Sequence, residues 1–316
     1  MRRRQQPPLQ KRHGLDPARI RMPEDGTWVT IRDFLVDEVP RIAATRIDEM
    51  LDAGAIVDMA GPVAPDASYV PGEAVWFHRD LPVETVVPFD ISIVHRDETL
   101  LVIDKPHFLP TIPRGGHILQ TALVRLREDL DLPQLVPAHR LARVTAGLVL
   151  FVVEPSLRGA YQTLFQDRKV LKVYEAIAPY DPSLRFPRTV RSRIMKEKNT
   201  FEAHEVDGEP NAETFIELVE HRSGRGRYRL HPTTGRTHQL RLHMNSLGLP
   251  IIGDDLYPVA SGRAVDDHPE PLQLLAATLE FTDPITGTAR RFESRRRLEL
   301  EIQWRDVPGV VEAGRG

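Results

Sequence analysis

Thirteen residues, His139–Phe151 (HRLARVTAGLVLF), constrain the fold of this chain more than any other segment. Gly147 opens an unbroken apolar run, LVLFVV, that reads as a strand buried on both faces. Thr145 and Gly147 shape the turn into it. The polar half of the segment, with His139, Arg140 and Ala142, therefore stands directly before a buried strand.

At 316 residues the chain is comfortable for two domains, and its 41% apolar content supports a sizeable core. Cysteine is absent, which excludes a disulfide framework and any Cys-based zinc or redox site. No apolar run is long enough to span a membrane, and the N-terminus lacks the apolar stretch of a signal peptide. A cytoplasmic protein with no membrane association is expected.

Residues 1–25 are Pro-rich and basic without apolar periodicity, and are expected to be a flexible tail. Residues 26–82 read as a small module. Ile31, Phe34, Leu35 and Val39 have helical spacing, as do Ile47, Met50 and Leu51, and Gly54 stops the second helix. A Pro71-Gly72 turn then leads into a strand, AVWFH. Residues 82–90 form a linker, 90–305 a larger domain and 306–316 a C-terminal tail. In the larger domain ISIVH and LLVID flank Asp97-Glu98 like a hairpin. Leu119, Ala122, Leu123, Leu126 and Leu130 trace a helix face, and Ser156 is placed as the N-cap of another helix. VLKVYEAIA, FIELVEH and RYRLH are further strands. Strands with interspersed helices but no regular βαβ rhythm predict an α+β fold, a mixed, largely antiparallel sheet with flanking helices.

The formal net charge is −3, so the distribution matters more than the sum. His221 to Gly253 holds no Asp or Glu, yet contains Arg222, Arg225, Arg227, Arg229, Arg236 and Arg241. Uncompensated repulsion of this kind predicts an anionic ligand. A second basic run, Arg185 to Lys198, is read as a solvated face.

Four segments in order resemble the pseudouridine synthases of the large-subunit-rRNA and tRNA (Rlu) type. HRLARVTAGL is similar to the family's H-R-L-D-x-x-T-S-G-L, with Ala142 where the catalytic Asp belongs. IDKPHFLPT at 103–111 resembles D-K-P-x-G-L-x, with Phe108 replacing Gly, so its backbone is expected to run differently there. LKVYEA at 171–176 matches K-x-Y-x-A, and LHPTTGRTHQLRLHM at 230–244 matches L-x-P-x-T-G-R-x-H-Q-[IL]-R-x-H. The resemblance covers roughly residues 90–300 and implies the synthase catalytic fold. The N-terminal module resembles the S4-type RNA-binding domain that many family members carry, with Arg41 and Arg46 presented to RNA.

That family isomerises uridine to pseudouridine within RNA, with no cofactor and no metal. His238 and His243 are five apart rather than four, which also argues against a metal site. The resemblance implies that Tyr174 stacks on the target base and that Arg241 pairs with the catalytic carboxylate. It implies that Arg140 enters the RNA stack when the uridine is extruded and that His139 braces the loop. Lys105, Arg236 and His238 would bind RNA at the cleft rim. Ala142 has a methyl group where the carboxylate should be, so this chain is expected to be inactive. The rival reading is a non-catalytic RNA-binding or RNA-assembly protein that keeps the fold. Because Arg241 and Tyr174 remain, and an unpaired Arg241 would be costly, an engineered origin for Ala142 is favoured over a natural one. The partner is structured RNA, rRNA ahead of tRNA, with no obligate protein partner and a monomer as the default.

Overall fold

The computed structural model describes residues 7–197, 200, 202–260 and 270–300, which form two units, Met1–Val83 and Glu84–Gly316. The smaller begins with strand β1 (Ala18–Arg21), continues through helices α1 (Ile31–Glu38) and α2 (Ala44–Asp52), and closes with β2 (Ala74–Phe77), antiparallel to β1. The Thr30 hydroxyl caps α1 by accepting the Asp33 N–H at 3.1 Å. Gly54, at φ +63°, ends α2. Phe34, Leu35, Ile47 and Met50 pack with Met22, Val75 and Phe77 in one core.

Met22 is fully buried, and this corrects the expectation of a structureless tail to residue 25. The alternation of Ala18 and Ile20 with Arg19 and Arg21 gives β1 one inward face. The order is thus strand, helix, helix, strand, rather than two helices followed by strands. Residues 1–6 of the expected tail lie outside the described residues.

The larger unit contains β3 (Ser92–Arg96), β4 (Leu100–Lys105), α3 (Ala122–Asp129), β5 (Val136–Pro137), β6 (Ala146–Val152), α4 (Arg158–Gln166) and β7 (Leu171–Pro179). It continues with β8 (Arg188–Met195), β9 (His204–Val206), β10 (Ala212–Arg222), β11 (Arg225–Pro232), α5 (Gln239–Ser246), β12 (Leu274–Thr282) and β13 (Ala289–Glu293). All its strands join one eleven-stranded sheet in the order β3-β4-β6-β12-β7-β11-β10-β8-β9, with β13 on β12 and β5 on β6. Among the described residues only β6 and β12 pair in parallel, so the sheet is mixed and largely antiparallel, as the α+β reading requires.

Strands β4 and β6 are buried at every position, because helices and loops cover both faces of the sheet centre. The expected 82–90 linker is built into this unit. The Glu84 carboxylate accepts the N–H groups of Ile118, Leu119 and Gln120 at 2.7–3.0 Å, and Val87 is buried. Ser156 does not cap α4. Pro155 starts a short 3₁₀ turn whose cap is the Glu154 side chain, accepting the Ser156 N–H at 3.2 Å. The end of the expected domain, 301–305, and the 306–316 tail lie outside the described residues.

Candidate active site

The loop that carries Ala142 links β5 to β6, and three side chains of the segment 105–111 hold it from one side. The Thr111 hydroxyl accepts the Leu141 N–H at 3.1 Å and donates to the Leu141 carbonyl at 3.0 Å. Lys105 Nζ donates to the Arg143 carbonyl at 3.2 Å. His107 Nδ1 donates to the Val144 carbonyl at 2.8 Å. Backbone on both sides of Ala142 is therefore pinned, while Ala142 itself is half-buried. Its carbonyl accepts the Thr145 N–H at 3.2 Å, closing the turn.

His139 braces the far side of the loop. Its Nε2 accepts the Leu150 N–H at 3.1 Å, and its ring stacks on Phe165 with centroids 4.3 Å apart. Burial, with a smaller push from Lys172, lowers its pKa to about 3, so the imidazole is neutral and suited to accepting. Arg140, beside it, is exposed. Gly147 has φ +110°, and a Cβ there would collide with the backbone of Ala276 on the parallel strand β12.

Lys105 does not sit at a rim. It is fully buried, and its ammonium also donates to the carbonyls of Pro106 and Leu109, each at 2.8 Å. Burial pushes its pKa well below the usual range, with smaller contributions from Arg296 and Arg143. Three carbonyl acceptors nonetheless match the three N–H donors of the charged form, and this geometry holds it as a cation. Its role in this structure is to tie the 106–109 turn to the motif loop. Replacing it by the similarly long Met strands three buried carbonyls, at roughly 1–3 kcal/mol each before relaxation. Lys105→Met is expected to lower the melting temperature and to raise hydrogen exchange at residues 141–145, whereas exchange there equal to that of the unaltered protein would contradict the clamp.

Phe108 takes φ +63°, the left-handed conformation that glycine adopts freely. The backbone turn expected to change is thus of a kind glycine would make, at a strain of order 1–3 kcal/mol for a non-glycine residue. Its buried ring, 6.0 Å from Phe89 and with the Arg143 guanidinium 5.7 Å from its centroid, offsets that cost.

Tyr174 on β7 lies opposite Ala276 of β12, which in turn lies opposite Gly147 of β6. Two inter-strand steps separate Tyr174 from the motif strand, roughly 10 Å. Burial raises the Tyr174 pKa to about 12, so its hydroxyl stays protonated. Leu141, Phe108, Leu240 and Met244 share one hydrophobic cluster, against which Tyr174 packs. The four sequence motifs therefore meet on a single core.

Arg241 is not left facing an empty site. Buried on α5, it makes a two-pronged contact with Asp254, including Nε to Oδ2 at 2.7 Å, and it reaches Asp255 Oδ1 at 2.8 Å. The Tyr257 ring lies 5.3 Å from its guanidinium carbon. Burial opposes its charge, but the hydrogen bonds and charges of the two carboxylates prevail and raise its pKa. Arg241 therefore gives no ground for preferring an engineered Ala142 to a natural one. Sequence reasoning missed both acids, although they stand immediately after the acid-free stretch.

The same correction applies to two more arginines of the stretch. Arg227 is held by Glu220 at 2.8 Å and Glu175 at 3.2 Å. Arg229 lies opposite Glu217 on β10 and Glu175 on β7. Repulsion within the sequence is answered by acids from neighbouring strands. The second basic run is largely β8, where Arg191 pairs with Glu213 at 2.5 Å; Lys198 lies outside the described residues. Arg46 in the smaller unit is occupied by Asp80 and Glu49, each at 2.8 Å, whereas Arg41 is exposed.

His238, at φ +55°, begins α5 and bonds Tyr257 Oη through Nδ1 at 3.1 Å. Burial first, then Arg241, Lys196 and Arg114, bring its pKa down to about 4. Arg236 is exposed, with Nε donating to the Asn211 carbonyl at 3.2 Å. Among the described residues no group of three or more His, Cys, Asp or Glu could hold a metal ion.

Residues 99–246 match the family model for RNA pseudouridylate synthase. The dual-specificity RNA pseudouridine synthase RluA of Pasteurella multocida is 32% identical over 203 residues, covering 62% of this chain and 89% of that protein. The chain belongs to the RNA pseudouridine synthase family. Ribosomal large subunit pseudouridine synthase D of Pseudomonas aeruginosa is a second synthase relative, 31% identical over 65% of this chain and 68% of its own length. Human RNA pseudouridylate synthase domain containing 1 has a solved structure that superposes with a TM-score of 0.54 at 26% identity, covering 68% of this chain and 86% of that one. No helix among the described residues is long and apolar enough to cross a membrane.

Proposed function

We propose that this chain is a pseudouridine synthase of structured RNA, rRNA ahead of tRNA, whose isomerisation of uridine is abolished by Ala142 in place of the catalytic Asp. One observation carries the reading. The loop around Ala142 is held in place by Thr111, Lys105 and His107, yet a methyl group stands where the motif calls for the acid. Tyr174 would stack on the base, Arg140 would enter the space vacated by the flipped uridine, and Arg241 would stabilise a carboxylate that is missing. The smaller unit would act as an S4-like RNA-binding module, with Arg41 as its available cation. Ala142 removes the group able to take a proton from the ribose or to attack its carbon.

The rival reading, a non-catalytic RNA-binding or assembly protein, draws support from Arg241. With Asp254 and Asp255 neutralising it, the fold carries no penalty for the lost acid, and a lineage could persist in this state. Total rRNA and tRNA incubated with the chain should be retained on filters, with affinity falling steeply between ~50 and ~200 mM salt. Carbodiimide mapping of the same RNA should show no new pseudouridine. New sites of modification would overturn the proposal, and salt-independent retention would remove its phosphate-binding part.

A further inference from the structure

After β13 the sequence SRRRLEL, residues 294–300, forms neither helix nor strand, yet its exposure alternates. Ser294, Arg296, Leu298 and Leu300 are partly or wholly buried, while Arg295, Arg297 and Glu299 are exposed. A period of two marks an extended chain with one face on the protein. The contacts of that face fall on five strands. The Asp104 carboxylate of β4 accepts Ser294 Oγ at 2.7 Å and the N–H groups of Arg295 and Arg296 at 2.8 and 3.3 Å. Arg296 Nε lies 3.3 Å from its other oxygen. Leu298 clusters with Ala146 of β6, Leu275 of β12 and Ile177 of β7. The Leu300 carbonyl accepts Arg225 Nη1 of β11 at 3.2 Å.

In the sheet these strands are neighbours, in the order β4-β6-β12-β7-β11, so the segment crosses them as a strap. Four inter-strand steps make about 19 Å, and a chain of this length reaches at most about 25 Å, which leaves little slack. The strap lies on the face of the sheet away from the motifs. Ala176, Ala178, Leu274 and Ala276 belong to the cluster that holds Leu141, Phe108 and Leu240, whereas their chain neighbours Ile177 and Leu275 meet Leu298, because side chains alternate between faces. The same alternation separates Asp104 from Lys105. Asp104 takes the strap on one face, and Lys105 ties the Arg143 carbonyl of the motif loop on the other. Ala146, which shares a cluster with Leu298, is the residue at which that loop enters β6.

We infer that Arg296 and Leu298 are positioning residues of the candidate active site, setting the motif loop around position 142 from behind the sheet. Both act through other residues. Arg296 supplies the charge that answers the wholly buried Asp104 carboxylate, and so fixes the end of β4 from which Lys105 reaches the loop. Leu298 packs behind Ala146 and Leu275, next to the point where Gly147 and Ala276 approach too closely to admit a Cβ. The strap follows the residues matched by the family model, 99–246, and so adds to the site a part that none of the four motifs contains. Its role is the same whether position 142 carries an acid or a methyl group.

Hydrogen exchange of the full-length protein, read at residues 141–145, tests this. Arg296→Gln and Leu298→Ala should each raise exchange there roughly tenfold, the scale on which a local charged tie is lost. The Arg296 side chain is 33% exposed, so Arg296→Gln is expected to fold even if Leu298→Ala does not. Arg296→Lys keeps a cation at Asp104 and should bring exchange back toward the unaltered rate. Arg290→Ala is the control. It breaks the tie between Asp97 and Asp283 at the opposite end of β4, and should lower the melting temperature while leaving 141–145 protected. Unchanged exchange at 141–145 in Arg296→Gln would overturn the inference. An equal rise in Arg290→Ala would overturn it too, since the loop would then be reporting only a general loss of stability.

Discussion

Asp254→Asn is expected to destabilise the larger unit by about 3–5 kcal/mol, the range for removing one partner of a buried ion pair. Arg241 and Asp254 are both almost wholly buried, with side chains 3% and 2% exposed, and Asp255 is the only other carboxylate paired with that arginine among the described residues. Asparagine keeps the volume but loses the charge, so Arg241 would retain only the partly exposed Asp255. Asp254 also accepts the N–H groups of Leu256 and Tyr257, each at 2.9 Å, so it fixes the turn that places Tyr257 against His238. Urea unfolding followed by circular dichroism measures the loss. Asp255→Asn should cost distinctly less, because that carboxylate is partly solvated. Exchanging Arg241 and Asp254 together for leucine should also cost less than Asp254→Asn alone, since the charge then left without its partner is the partly solvated Asp255. A loss below about 1 kcal/mol for Asp254→Asn would show that this pair does not hold the α5 region together.

The parts of this fold that are legible in the sequence are those in which local pattern and burial coincide. Gly147 and the apolar run after it announce β6, and the helix at Ala122–Asp129 follows from its own apolar face. The motif order places Ala142, Tyr174 and α5 on one domain, and the sheet brings the motif strand within two inter-strand steps of Tyr174. Charge is the least legible property. Arg227 and Arg241 sit in a stretch without acids, yet their partners Glu175, Glu220, Asp254 and Asp255 come from before and after it. Lysine is rarely buried, so Lys105 reads as a rim cation, and only the tertiary structure shows three carbonyls closing around it. Strand β8 is hidden because its arginines resemble a solvated run, although Val190 and Ile194 mark its inward side.

Ala142→Asp is expected to turn the chain into a working uridine isomerase, with a gain of ~10⁴-fold or more, the scale on which an essential group is lost. The backbone around position 142 is already clamped at Leu141, Arg143 and Val144, so a new carboxylate would enter a fixed turn rather than a loose loop. Tyr174 is retained as a protonated hydroxyl, and Arg241 is retained as a cation paired with Asp254 and Asp255. No other acid is an obvious substitute. Glu154 is occupied as a cap beyond the buried strand β6, and Asp131 precedes the motif loop on an exposed turn. The most direct measurement is tritium release from RNA labelled at uridine C5, comparing the unaltered chain with Ala142→Asp on total cellular RNA. The account predicts no release by the unaltered chain and clear release by the variant; equal release by the two proteins, or none by either, would contradict it.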